Sequence, residues 1–161
     1  MSTVNDNEFF PLFRDGYKPS LEPYFIRKPD IPSGEIYLFE SDSGIEYEVL
    51  FAKKRNNYLS NIVNFSVLNE EFDDEYSETN RGEVYRVIAT VTEIVRMYHQ
   101  HHGHSISYEF SGEFKDNEKD ANASIRTLLY YRKAKELLHE DWDVKLIDNR
   151  VIVYRKCYTY E

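Results

Sequence analysis

The chain has 161 residues, 41% of them hydrophobic and 30% charged, with a net charge of -9 and a mean hydropathy of -0.66. That is long enough to bury a core as one domain over residues 1–161. It excludes membrane-spanning helices and, with Cys157 the one cysteine, an internal disulfide framework or a cysteine-rich zinc site. The acidic balance disfavours nucleic acid, whose phosphates need Lys and Arg to displace counterions. The start, MSTVNDNEFF, lacks a basic, apolar leader, so the expected location is the cytoplasm.

Residues 1–22 hold Phe9, Phe10, Leu12 and Phe13, then Gly16 and Pro19, with Pro23 just beyond. Proline removes a backbone donor, so this stretch is expected to be an irregular arm whose aromatics dock on the domain or on a second copy. Strands are expected at Tyr24 to Lys28, at Glu35 to Glu40, from Ile45 to Phe51, and through Val63, Phe65 and Val67. Turns rich in Pro, Ser, Asp and Gly separate the first three, and a polar connection at Lys53 to Asn57 precedes the last. Links this short make an antiparallel meander. The acidic run EEFDDEYSE, Glu70 to Glu78, reads as a solvated loop without the spacing of a calcium site.

The spacing of Val84, Val87, Ile88, Val91, Ile94, Val95 and Tyr98 predicts a long amphipathic helix. Asn80 and Glu83 suit a capping box at its start, and Gly103 suits a left-handed C-cap at its end. A strand through Ile106, Tyr108 and Phe110 follows, and a second helix is expected from Asn122 to Glu140. Trp142, Val144 and Leu146 then pair with Val151 and Val153 in a hairpin. Its turn is Asp148-Asn149, whose side chains tolerate positive φ. The tail CYTYE would extend the last strand. The expected fold is α+β with a mainly antiparallel sheet: a meander of three or four strands, then helix, strand, helix and hairpin.

Few residues suggest chemistry. His99, His101, His102 and His104 crowd one helix end, where a cationic imidazole complements the dipole. They offer adventitious metal ligands rather than a native metal site. Arg126, Tyr130 and Arg132 on the second helix combine cations with a phenol, and Arg81 and Arg86 add charge at the start of the first helix. The arginines are candidate anion or ligand-binding groups.

The order of elements from about residue 35 onward resembles the acyl-CoA N-acyltransferase fold of the GCN5-related family. Leu129-Tyr130 matches that family's leucine-tyrosine pair, with Asn122 upstream. The resemblance implies acetyl-CoA as cofactor, a pyrophosphate site at the first helix's N-terminus, and Tyr130 as general acid for the leaving thiolate. NRGEVYRVIA, however, carries only Gly82 where the family has spaced glycines, and the glycine-phenylalanine pair after the tyrosine is missing. The segments GEVYRVIATV and RTLLYYR also resemble a small bacterial family of similar length, from which no function carries over.

The residues themselves imply no cofactor. Three functions follow as expectations. The first is a cytoplasmic, non-catalytic interaction or regulatory module that self-associates or binds another protein. The second is a diverged acyl-CoA-dependent N-acyltransferase. The third is an acidic mimic of DNA.

Overall fold

Side chains alternate across a strand, so every second residue of a half-buried strand must be apolar. In the computed structural model, which describes residues 10–68, 81–111 and 125–157, that alternation builds one face of a six-stranded sheet. The elements are β1 (Ile36–Glu40), β2 (Glu46–Lys54), β3 (Asn57–Val67), α1 (Arg81–His101), β4 (Ser107–Ser111), α2 (Ile125–Leu137), β5 (Trp142–Ile147) and β6 (Arg150–Arg155). The sheet order is β1-β2-β3-β4-β6-β5. All neighbours are antiparallel except β3 and β4, which run parallel with α1 as their crossover. The fold is α+β, with a mostly antiparallel mixed sheet and two helices.

The registers align one apolar face across all six strands. Tyr37 lies opposite Val49, Val49 opposite Phe65, Val63 opposite Phe110, Phe110 opposite Val151, and Val151 opposite Leu146. Both helices cover this face. The expected stripe of α1, from Val84 to Tyr98, is buried throughout. In central β4, Ser107, Tyr108 and Phe110 are buried and Glu109 is half-buried.

Several boundaries differ from the sequence reading. Tyr24 to Lys28 is not a strand: only Arg27 bridges to β1, at Leu38. Pro23 and Pro29 bracket the segment, and the Tyr24 amide donates instead to Thr90 Oγ1 at 2.9 Å. The polar stretch Lys53 to Asn57 is mostly ladder, because β2 runs to Lys54 and β3 begins at Asn57 with a register shift at Lys53/Lys54. Gly103 does not take the left-handed conformation; among the described glycines only Gly16 and Gly44 do. α1 closes instead with His102 N–H on the His99 carbonyl at 3.1 Å and the His102 ring donating from Nδ1 to the Tyr98 carbonyl at 2.9 Å.

The Asn80 half of the expected capping box lies outside the described residues, as do the acidic run and Asn122. Both Glu83 oxygens are taken by Ser43, from its amide and its hydroxyl, at 2.6 Å each. α2 stops at Leu137, short of Glu140, because the arm recruits the following backbone: His139 N–H donates to the Leu12 carbonyl at 2.9 Å. The hairpin turn is as expected, with Asp148 at φ 53. β6 ends at Arg155, followed by a turn at Lys156 and exposed Cys157, so the described part of CYTYE does not extend it.

The described part of the arm, residues 10–22, runs along the helix side of the domain. Leu12 is buried in the core. Phe13 bridges to Leu138, and Arg14 N–H donates to the Leu137 carbonyl at 3.0 Å. The indole of Trp142 donates to the Pro11 carbonyl at 2.9 Å.

Candidate functional site

Parallel strands end together, so the carboxyl ends of β3 and β4 lie at one end of the sheet, and α1 and α2 both start from that end. This junction is where an open sheet with crossover helices accepts a ligand. The two strands pair over only Ser60 to Val63 and Ser107 to Phe110. β3 then continues to Val67 along β2 alone.

Tyr130 sits over that divergence. It is buried on α2, with its ring centroid 6.4 Å from that of Phe65 on β3 and 5.6 Å from that of Phe110 on β4. Tyr130 also lines an apolar cavity of about 50 Å³ between the helices, together with Leu12, Val95, Lys133 and Leu137. That volume holds no more than a few waters.

The paired part of the junction is closed by a polar link. Asn61, buried on β3, donates from Nδ2 to the Ser107 carbonyl at 3.1 Å and accepts the Tyr98 hydroxyl at 3.0 Å. The Tyr98 ring stacks between Phe51 and His102, at centroid distances of 3.9 and 3.8 Å. Burial pushes the Tyr98 phenol up to about 12. Asn61 shares its strand face with Val63 and Phe65. A polar residue in that inward set is the signal the sequence offers, and it is hidden when the strand is taken to start at Val63 rather than at Asn57.

Of the four candidate arginines, the side chains of Arg86 and Arg132 are described, and their surroundings differ. Arg86 turns toward the arm: its Nε donates to the Glu22 carbonyl at 2.7 Å, its Nη1 meets Asp42 at 3.2 Å, and its guanidinium lies 4.0 Å above the Tyr24 ring. Asp42 and Glu83 bring negative charge to the first turns of α1, where an anion would otherwise bind. Arg132 is exposed on α2. Arg81 is the first residue of α1 and Arg126 the second of α2, so both belong to the helix-start end; their side chains lie outside the described part.

The histidines separate. His101 and His104 are exposed, and His102 is half-buried. His99, expected at an exposed helix end, is 1% exposed. Its Nε2 lies 2.5 Å from the Phe10 carbonyl and its Nδ1 2.5 Å from the Tyr108 hydroxyl. A carbonyl only accepts, so Nε2 carries the proton and Nδ1 accepts from Tyr108. Burial lowers His99 to about 4 and raises Tyr108. Among the described residues, no three His, Cys, Asp or Glu side chains converge as metal ligands. No described helix is long and apolar enough to cross a membrane.

Comparison with models of known protein families gives no match, and comparison with curated proteins gives none either.

Proposed function

We propose that this chain is a non-catalytic interaction or regulatory module of the cytoplasm, built on an acyltransferase-like scaffold. The observation that carries the reading is the filled junction between β3 and β4. Asn61 links the strands through Tyr98 and Ser107 where they pair, and Tyr130, Phe65 and Phe110 pack together where they part. A cofactor arm would have to displace these side chains. Meanwhile the margin of the domain displays large apolar groups: Phe25 is 84% exposed and Ile31 66%. These favour association over turnover.

The test is calorimetric titration with acetyl-CoA and then desulfo-CoA. No heat at millimolar ligand is the expected result. Saturable micromolar binding that is lost in Arg81→Ala overturns the reading.

The second reading is a diverged acyl-CoA-dependent N-acyltransferase. Meander, helix, strand, helix and hairpin follow in the order that the resemblance implies, and Tyr130 lies at the carboxyl ends of the parallel pair. There its phenol would protonate the leaving thiolate. The DNA-mimic reading draws no support from the sheet face opposite the helices. Both charge signs interleave there: Glu109 pairs with Lys54 at 3.3 Å and Arg150 at 3.4 Å.

A further inference from the structure

β5 (Trp142–Ile147) closes one side of the sheet and has no strand beyond it among the described residues. Its backbone polarity follows from one bond: the Asp141 carbonyl accepts Lys156 N–H at 2.8 Å, on the β6 side. Alternation then turns Asp143 and Lys145 toward β6, and turns the amides and carbonyls of Val144 and Leu146 outward. The Val144 amide is met by the adjacent Asp143 carboxylate at 2.8 Å, and the Trp142 amide by the His139 carbonyl at 2.9 Å.

We infer that this edge is a homotypic interface, on which β5 of a second copy adds antiparallel about a two-fold axis at Val144. The inference rests on the interaction reading above and names the partner as a second copy of this chain. Its basis is the self-complementary order Asp143-Val144-Lys145. With Val144 opposite Val144, each Asp143 faces Lys145 of the second copy at a non-hydrogen-bonded position, where side chains approach most closely. Shifting the axis by one residue opposes Asp143 to Asp143 or Lys145 to Lys145, which repels. Only the Val144-centred register satisfies both pairs.

The backbone fits the same register. The two Val144 residues exchange amide-to-carbonyl bonds once each Asp143 carboxylate releases its own Val144 amide and turns to Lys145 of the second copy, and each Leu146 amide reaches a Trp142 carbonyl. On the helix side, half-buried Val144 and Leu146 gain apolar cover from the same residues and Trp142 of the second copy. On the outer side, Tyr154 already orders both charges. Its hydroxyl lies 3.4 Å from Asp143, and its ring lies 5.1 Å from the Lys145 ammonium. A lysine on an edge strand ordinarily blocks pairing; alternated with aspartate about a two-fold axis, it selects an identical strand.

One six-residue strand buries little area, so association is expected in the micromolar range. Sedimentation velocity on the full chain, from about 1 to about 300 µM to bracket that weak class, should show a monomer–dimer equilibrium. Lys145→Asp should weaken it about tenfold or more, by replacing two attractions with two repulsions. The swap D143K/K145D should restore it. A chain monomeric throughout the range overturns the inference, as does dimerisation indifferent to Lys145→Asp and to the swap. That last outcome would move self-association to another surface, such as the one around Phe25, and leave the interaction reading standing. Cofactor binding in the calorimetric titration would instead remove that reading without touching the sedimentation result.

Discussion

His99 donates to the carbonyl oxygen of Phe10 at 2.5 Å, tying the last turn of α1 to the arm through a side chain that must stay neutral. Its other nitrogen accepts the Tyr108 hydroxyl, which loses its acceptor if the ring is protonated. Trp142 packs edge-on against the same imidazole at 5.7 Å, and Arg155, whose charge also disfavours the cation, lies over the Phe10 ring at 3.5 Å.

Acid should therefore loosen this end of the domain. The folded-state pKa of about 4 lies below the ordinary 6.5, so between those values the unfolded chain binds the extra proton. Stability from this group is complete above about 6.5 and is lost as pH falls toward about 4, a total of about 3 kcal/mol. Urea midpoints across that window, compared with those of His99→Gln, isolate the contribution. The wild-type curve should fall more steeply, and parallel curves would sink the assignment.

What the sequence discloses here depends on whether a residue's neighbours are local. The stripe of α1 and the β5–β6 turn are set by spacings of three and four residues and by Asp148 at positive φ, so periodicity and turn chemistry suffice. The parallel pairing of β3 with β4, and the insertion of β6 between β4 and β5, join residues far apart in sequence. His99 looks solvated from sequence because its partners, Phe10 and Tyr108, come from the arm and from β4. Arg86 looks like a free cation for the same reason, its acceptors being Glu22 and Asp42. At the junction, Tyr130 was legible as a polar group on a helix, but its packing against two strands was not.

Arg86 should matter to the arm more than to any anion. Arg86→Ala removes the bond to the Glu22 carbonyl and the stacking on Tyr24, at a cost of about 1 kcal/mol. Hydrogen exchange should quicken at the Tyr24 amide. Arg86→Lys should recover only part, because an ammonium cannot bond two acceptors in one plane while covering a ring. Unchanged exchange at Tyr24 in Arg86→Ala would show that the arm is held elsewhere.

Asn61→Leu should cost about 2–3 kcal/mol, because it leaves the buried Tyr98 hydroxyl and the Ser107 carbonyl without their amide partner. Adding Tyr98→Phe removes the stranded hydroxyl and should recover about 1 kcal/mol of that loss. Chemical denaturation of the two single variants and the double variant gives the coupling. Strict additivity would mean that the pair does not act as a unit.

Tyr130 separates the two functional readings through paired substitutions. Tyr130→Phe keeps the ring against Phe65 and Phe110 and should leave stability close to wild type, whereas Tyr130→Ala empties the space above the junction and should cost about 3–5 kcal/mol. If Tyr130 serves packing alone, thermal denaturation reports the whole effect and Tyr130→Phe behaves as wild type in association. If the phenol protonates a leaving thiolate, Tyr130→Phe lowers acetyl transfer about 10²–10⁴-fold while acetyl-CoA affinity is retained. Calorimetry and thiol release, measured on the same variant, distinguish the outcomes. We expect the packing result, because the ring already occupies the gap that a thioester would need to enter.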